Sequence, residues 1–406
     1  MTAPTPPPAP VVQPVAMLQE NGFAAFLLVF FLLNVGMGVF PPLLPQVMES
    51  LDLSFAAAGL LGTAFGLTRF IADLPIGLLV ERLGFRRILH AGMGLFLAGN
   101  VLSAAAPSFA VMALARGLMG LASGTVNVVG ILYLMHTGSP AQRSRRGNLY
   151  ELSVIAGMAV SADLAGMIGG RWGWRWSFWG ASAAFLAAWA TAARVSPALA
   201  RVEANLLPAT APPPVAAGPR RPGAMLAIYV AMFAQAFAWG GGISTLLPLY
   251  GGRGLELPAE AVGRSMAIAF WAEVGLLFPV GWAADAWGKV RILLPGFGAI
   301  LAGVLLVPAS AGSLTYGAAF VLLTSGMSVW MLVPALLREQ LGGDFRGRSA
   351  GLYRLVTDLG FILAPALVGW LIGRQGFTAG ALAIALVVAL SILLSLRYLS
   401  RRFDAF

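Results

Sequence analysis

The sequence predicts an all-α membrane protein of twelve transmembrane helices, arranged as two pseudo-symmetric six-helix bundles with both termini in the cytoplasm. Three observations carry that prediction. The chain of 406 residues is 59% hydrophobic and only 10% charged, and a mean hydropathy of +0.83 leaves too little polar surface to cover a water-soluble globule. Apolar runs of about 20 residues, the length that crosses a hydrocarbon core, recur along the whole chain. The second half of the chain also repeats the first.

Glycine, proline and charge punctuate the apolar runs. In the first half they bound helices near 23 to 46, 57 to 80, 88 to 106, 109 to 136, 149 to 170 and 177 to 194. In the second half they bound helices near 224 to 250, 262 to 284, 292 to 311, 314 to 338, 350 to 373 and 378 to 396. Backbone groups at membrane depth find no water, so spans are helices or a closed barrel. The alternating strands of a barrel are absent. Residues 1 to 22 are proline-rich and hold no Lys or Arg, which reads as a disordered cytoplasmic tail without the basic start of a cleaved signal peptide. Residues 195 to 223, with their run of prolines, read as a cytoplasmic linker between bundles at 23 to 194 and 224 to 406, the second ending in a short cytoplasmic tail. The absence of cysteine excludes disulfides and thiolate metal sites.

Orientation follows from the cations. Arg82, Arg86 and Arg87, then Arg143, Arg145 and Arg146, then Arg194, Arg201, Arg220 and Arg221 fall in alternate connections. Lys289 and Arg291, Arg346 and Arg348, and Arg397, Arg401 and Arg402 continue the pattern to the C-terminus. The intervening loops hold only Arg171, Arg175, Arg253 and Arg374, with Arg264 at a helix start. The positive-inside rule then places both termini in the cytoplasm. Topology accounts for the net charge of +10, and no nucleic-acid partner is implied.

The repeat is visible residue by residue. GLLVERLGFRR at 77 to 87 returns as GWAADAWGKVR at 281 to 291, a spacing of 204. RRGNLYEL at 145 to 152 and RSAGLYRL at 348 to 355 share Leu-Tyr at a spacing of 203. GRWGW at 170 to 174 pairs with GRQGF at 373 to 377, and Leu44-Pro45 with Leu247-Pro248. A duplicated six-helix unit is the mark of a transporter whose halves rock about a midplane site.

These stretches resemble the major facilitator superfamily over the whole chain. The two eleven-residue segments are similar to its loops between helices 2 and 3 and between helices 8 and 9, with Glu81, Phe85 and Ala286 departing from the usual residues. The resemblance implies a latch built from Gly77, Glu81, Arg82, Gly84 and Arg87 in one half, and Gly281, Asp285, Gly288, Lys289 and Arg291 in the other. Gly77 and Gly281 are expected to allow close helix approach, and Glu81 and Asp285 to meet a helix N-terminus of the opposite half, while the cations hold the loops in the cytoplasm. VGMGVFPPLLP at 35 to 45 and LARGLMGLASG at 114 to 124 resemble helix 1 and helix 4 motifs of the drug/proton antiporter branch. AGMIGG at 165 to 170 lacks the proline of the branch's helix 5 motif.

Arg116, Gly120, Ser123 and Asn127 lie at i, i+4, i+7 and i+11, on one helical face. The resemblance implies that helices 1, 4, 7 and 10 line the cavity. These four residues, with Asn34, Gln235, Trp239 and Trp330, are therefore the candidate substrate and cavity residues, with helix ties and core packing as the plainer reading. Arg69 and Asp73 lie four apart on helix 2, as do Arg354 and Asp358 on helix 11, and the resemblance implies that these helices face each other. The four charges are expected to exchange partners and close the cytoplasmic side in the outward-open state, the alternative being two private intrahelical pairs. Asp163 on helix 5 and Glu273 on helix 8 both count to mid-membrane and are expected to approach and share the coupling proton. His90 and His136 receive no chemistry.

No enzyme is indicated. The chain has no phosphate-binding glycine loop with Lys, no metal-spaced His pair and no nucleophile elbow, and neither a cofactor nor a metal is expected. Without a nucleotide site, uphill transport draws on an ion gradient, and protons suit the buried acids. The expected function is secondary transport of a small organic compound by alternating access, as proton-coupled efflux from a bacterial inner membrane. The protein is expected to act as a monomer whose partners are its substrate, protons and the lipid bilayer. Proton symport or facilitated uptake of a small anionic metabolite, bound at Arg116 or Arg69, stays open. So does a membrane sensor or assembly factor that keeps the fold without transporting.

Overall fold

The computed structural model describes residues 22–136, 143–204, 222–341 and 348–400, and every regular element among them is helical. In the first half these are α1 (Phe23–Ser50), α2 (Phe55–Leu83), α3 (Phe85–Ala105), α4 (Phe109–His136), α5 (Arg143–Trp172) and α6 (Trp174–Ala204). In the second half they are α7 (Pro222–Gly254), α8 (Ala259–Trp287), α9 (Lys289–Leu306), α10 (Ser313–Leu341), α11 (Arg348–Gln375) and α12 (Phe377–Tyr398). Eleven of the described helices are long and apolar enough to cross a membrane, and α6 is not among them. Its apolar residues are largely alanine and tryptophan, interrupted by Arg175, Arg194 and Arg201.

Most helices overrun the boundaries that hydropathy marks. α5 starts at Arg143 and α6 continues to Ala204, so the first ten residues of the expected linker are helical. Arginine and alanine are good helix formers that apolar runs do not register. The rest of that linker and the expected N-terminal tail lie outside the described residues.

Three helices are interrupted midway. α1 breaks at Gly38 and Val39, ahead of Pro41 and Pro42. α7 passes from an α-helix (Pro222–Ala238) into a π-helix (Trp239–Leu246) at Gly240, Gly241 and Gly242, and the Thr245 hydroxyl donates to the Gly240 carbonyl at 2.9 Å. α10 opens between Met327 and Leu332. Discontinuities at membrane depth persist only where protein or a cavity receives the freed backbone groups.

The repeat extends to backbone geometry. Asp52 and Glu256, 204 residues apart in Leu-Asp-Leu and Leu-Glu-Leu, both adopt the left-handed region at φ 50° and 53°. That conformation costs a non-glycine residue about 1–2 kcal/mol, so copying it argues for a copied turn.

The halves meet along α2 with α11 and along α5 with α8. A Cβ on Gly59 would lie 2.2 Å from the Pro365 carbonyl oxygen, with Gly369 alongside. A Cβ on Gly263 would lie 2.3 Å from the Ala162 carbonyl oxygen, with Gly166 alongside. Residues 59 and 263 are repeat partners, as are 166 and 369, so one crossing is the image of the other. Both crossings lie at the end remote from the start of α1. Glu49 and Arg253, also repeat partners, form a 3.4 Å ion pair across the halves at that same end.

Candidate functional site

Arg116 on α4 is 7% exposed, and its guanidinium carbon lies 4.1 Å from the centre of the Phe40 ring and 4.6 Å from that of Phe65. Among the described residues it has no ion pair, and its Nε has no hydrogen-bond partner. A charge at this depth without an anion is costly unless a ligand or a cavity serves it.

The four residues placed on one face of α4 separate in the structure. Gly120 packs on α2, where an added Cβ would sit 2.1 Å from the Phe65 carbonyl oxygen. It is a helix-crossing glycine, set against the same residue of α2 whose ring Arg116 covers. Ser123 is buried and accepts from the Asn127 amide at 3.3 Å, while the Tyr150 hydroxyl donates to Asn127 Oδ1 at 3.4 Å. Asn127 therefore ties α4 to α5. Asn34 donates to the Phe30 carbonyl at 2.8 Å, leaving its buried Oδ1 without a partner.

In the second half, Gln235 and Trp330 line a small open recess with Met232, Val333, Tyr353 and Thr357. Gln235 is 2% exposed and its Nε2 has no partner. Trp239 and Trp330 lie 5.5 Å and 6.0 Å from the Phe361 ring of α11, and Arg69 lies over that ring at 5.3 Å. Phe361, Phe40 and Phe65 carry no signal in the sequence, where one phenylalanine in an apolar run looks like any other.

The gate charges join across the halves. Arg354 of α11 forms an ion pair with Asp73 of α2, and neither intrahelical pair, Arg69 with Asp73 or Arg354 with Asp358, is made. Asp358 is 2% exposed and its Oδ2 has no partner, nor has Nε of Arg69. The cross-pair is made while the remote end is packed shut, so it is not reserved for a state in which that end opens.

The paired acids need correction. Asp163 does not approach Glu273. It lies near the remote end of α5 and pairs with Arg264 at 3.5 Å, and Arg264 also holds Glu260 at 3.4 Å. The sequence count began at residue 149, whereas α5 starts at Arg143, and the helices run antiparallel with Gly166 beside Gly263. Ten residues further along α8, Glu273 faces the opposite part of α5, where its electrostatic neighbour is Glu151. Glu151 was legible: it is the repeat partner of Arg354 in the Leu-Tyr segment.

The latch loops differ from expectation at two points. An added Cβ on Gly281 would meet nothing within 4 Å, so no close approach depends on it. Asp285 is exposed and has no ion pair or hydrogen bond, because the close contacts of α8 with the other half lie at its opposite end. Gly84 and Gly288, at φ 83° and 95°, supply the left-handed turns into α3 and α9. Lys289 pairs with Glu339 of α10 at 2.5 Å, within its own half. Arg82 and Arg87 are exposed, and the side chains of Gly77 and Glu81 lie outside the described set.

Comparisons with known proteins agree with this architecture. The fold is similar to the crystal structure of the nucleoside transporter NupG, with a TM-score of 0.67 at 12% identity, covering 93% of this chain and 98% of that one. In sequence, 139 residues are 29% identical to the quinolone resistance protein NorA of Staphylococcus aureus (strain MRSA252), covering 34% of this chain and 36% of NorA. A further match, 29% over 161 residues, is to the MFS-type efflux pump MMF1 of Pseudozyma antarctica (strain T-34), covering 39% of this chain and 29% of the pump. The chain thus spans about a third of each relative it matches. The family model of the Major Facilitator Superfamily matches residues 26–338, most of the chain, and with the duplicated helices and paired crossings this places the protein in the Major Facilitator Superfamily.

Proposed function

We propose that this transporter exports a small organic compound in exchange for protons, by alternating access of a site between its two six-helix halves. In this reading twelve helices span a bacterial inner membrane, both termini are cytoplasmic, and the monomer is the working unit. The supporting observation is that unsatisfied polar groups are buried in the interior, Arg116 Nε beside Phe40 and Phe65, Gln235 Nε2 in the recess with Trp330, and Asn34 Oδ1 on α1. A scaffold gains nothing from such groups, since buried polar atoms are normally paired. A ligand with a planar apolar body and a polar group would satisfy them. Efflux is favoured over uptake because the matched relatives are named for resistance and efflux.

The test is flux in proteoliposomes under an imposed pH gradient, with a panel that includes quinolones and nucleosides. Antiport predicts accumulation of a panel compound in vesicles with an acidic lumen, abolished by a protonophore. Accumulation only with an acidic exterior would establish symport instead, and gradient-independent equilibration would show a facilitator.

A further inference from the structure

The repeat inverts charge at its most sensitive positions. At the spacing of 204, Arg69 of α2 corresponds to Glu273 of α8, and at the spacing of 203, Glu151 of α5 corresponds to Arg354 of α11. The α2–α11 interface therefore holds two cations where the α5–α8 interface holds two acids. One turn on, Asp73 and Asp358 neutralise the cations of the first interface. Their repeat partners in the second are Leu277 and Ile155, which neutralise nothing.

Among the described residues, no cation pairs with either acid. Glu273 is 7% exposed and has neither an ion pair nor a hydrogen bond, and Glu151 is partly buried and likewise unpaired. From α5, Glu273 meets the charge of Glu151. On α10, which packs against α8, the Thr324 hydroxyl is committed to the carbonyls of Ala269 and Phe320. Lys289 of α9 is held by Glu339, and Gln46 of α1 donates to Gly169. Tyr150 and, from α11, Tyr353 are the neighbouring titratable groups of Glu151, and Arg146 lies over Phe23. Counting from the Gly166–Gly263 crossing, the two acids lie about 7.5 Å, or nearly one and a half helical turns, apart along the interface, a span that two glutamate side chains can bridge.

We infer that Glu151 and Glu273 hold one proton between them at the α5–α8 interface, as the counterpart of the Asp73–Arg354 ion pair at the α2–α11 interface. A metal ion does not fit. Two carboxyls, even with the one backbone carbonyl that Pro279 frees in α8, fall short of the roughly six oxygens a hard cation gathers. With the proton bound, the interface carries one fewer charge and its helices can stay together. Without it, two carboxylates repel across a low-dielectric gap and favour separation. The proton is taken up from one side of the membrane and released to the other, so the charge that the pair loses on binding returns on release. This inference rests on the transport reading for its role in coupling, but the site itself does not.

The test is infrared spectroscopy of the full-length protein in lipid, recording the carboxylic-acid carbonyl band across the pH range in which it stays folded. Subtracting the spectra of Glu273→Gln and of Glu151→Gln from that of the wild type should reveal the same single protonated-carboxyl band, which Glu273→Asp retains. If neither subtraction shows such a band at any pH, or if sodium chloride at fixed pH removes it, the shared proton is wrong. The Asp163→Asn variant should leave the band intact. In vesicles, both Gln variants should lose pH-driven flux yet keep exchange of labelled for unlabelled panel compound. A wild-type band with no flux of any panel compound would sink the transport reading and spare the site.

Discussion

At the residue scale, Arg116 shows how an unfavourable placement marks a site. Its guanidinium is sandwiched by Phe40 and Phe65 with no carboxylate in contact, and cation–π contacts of about 0.5–2 kcal/mol fall short of the several kcal/mol that desolvating an ion costs. Removing the charge should therefore stabilise the protein while abolishing transport. Arg116→Leu is expected to raise the melting temperature in detergent and to reduce flux at least tenfold. A fall in melting temperature would show that Arg116 is a structural tie. Arg116→Lys keeps the charge but loses the planar group that stacks on both rings, so flux should drop there as well.

At the scale of elements, glycine decides how closely helices cross. Gly59 and Gly263 each face a backbone carbonyl, which cannot rotate aside as a side chain can. Gly59→Ala and Gly263→Ala should each destabilise the protein by about 1–3 kcal/mol, read by thermal unfolding, and their effects should be similar because the crossings are repeat images. The ion pair makes a second prediction. A double-mutant cycle of Asp73→Asn with Arg354→Gln should give a coupling above about 0.5 kcal/mol in transport, while Arg69→Gln with Asp73→Asn should be close to additive. Helix number and order were legible in the sequence because hydropathy and the repeat both report them. The ends were less so, since the polar Arg143 to Asn148 and the Pro-, Arg- and Glu-interrupted Ser196 to Ala204 continue helices past the apolar runs. That uncertainty in the start of α5 displaces Asp163 by nearly two turns. The pairing of α2 with α11 marks the cross-helix charges, whereas Glu151 stands close to a helix start that apolar runs do not fix, so its approach to α8 is visible only in the structure.

At the scale of the whole molecule, two interfaces related by the repeat hold the halves together, one through an ion pair and the other through two unpaired acids. Both share glycine crossings at the end remote from the start of α1. Alternating access requires that this end open as the other closes. Because the chain contains no cysteine, labels can be placed without background. The most direct measurement is the distance between spin labels on two pairs across α5 and α8 in lipid: Arg171→Cys with Glu260→Cys at the remote end, and Arg145→Cys with Asp285→Cys at the other, all four positions being exposed. Alternating access predicts that, as pH changes, one distance lengthens while the other shortens, with a common midpoint. Two distances that stay fixed, or that lengthen together, would contradict it.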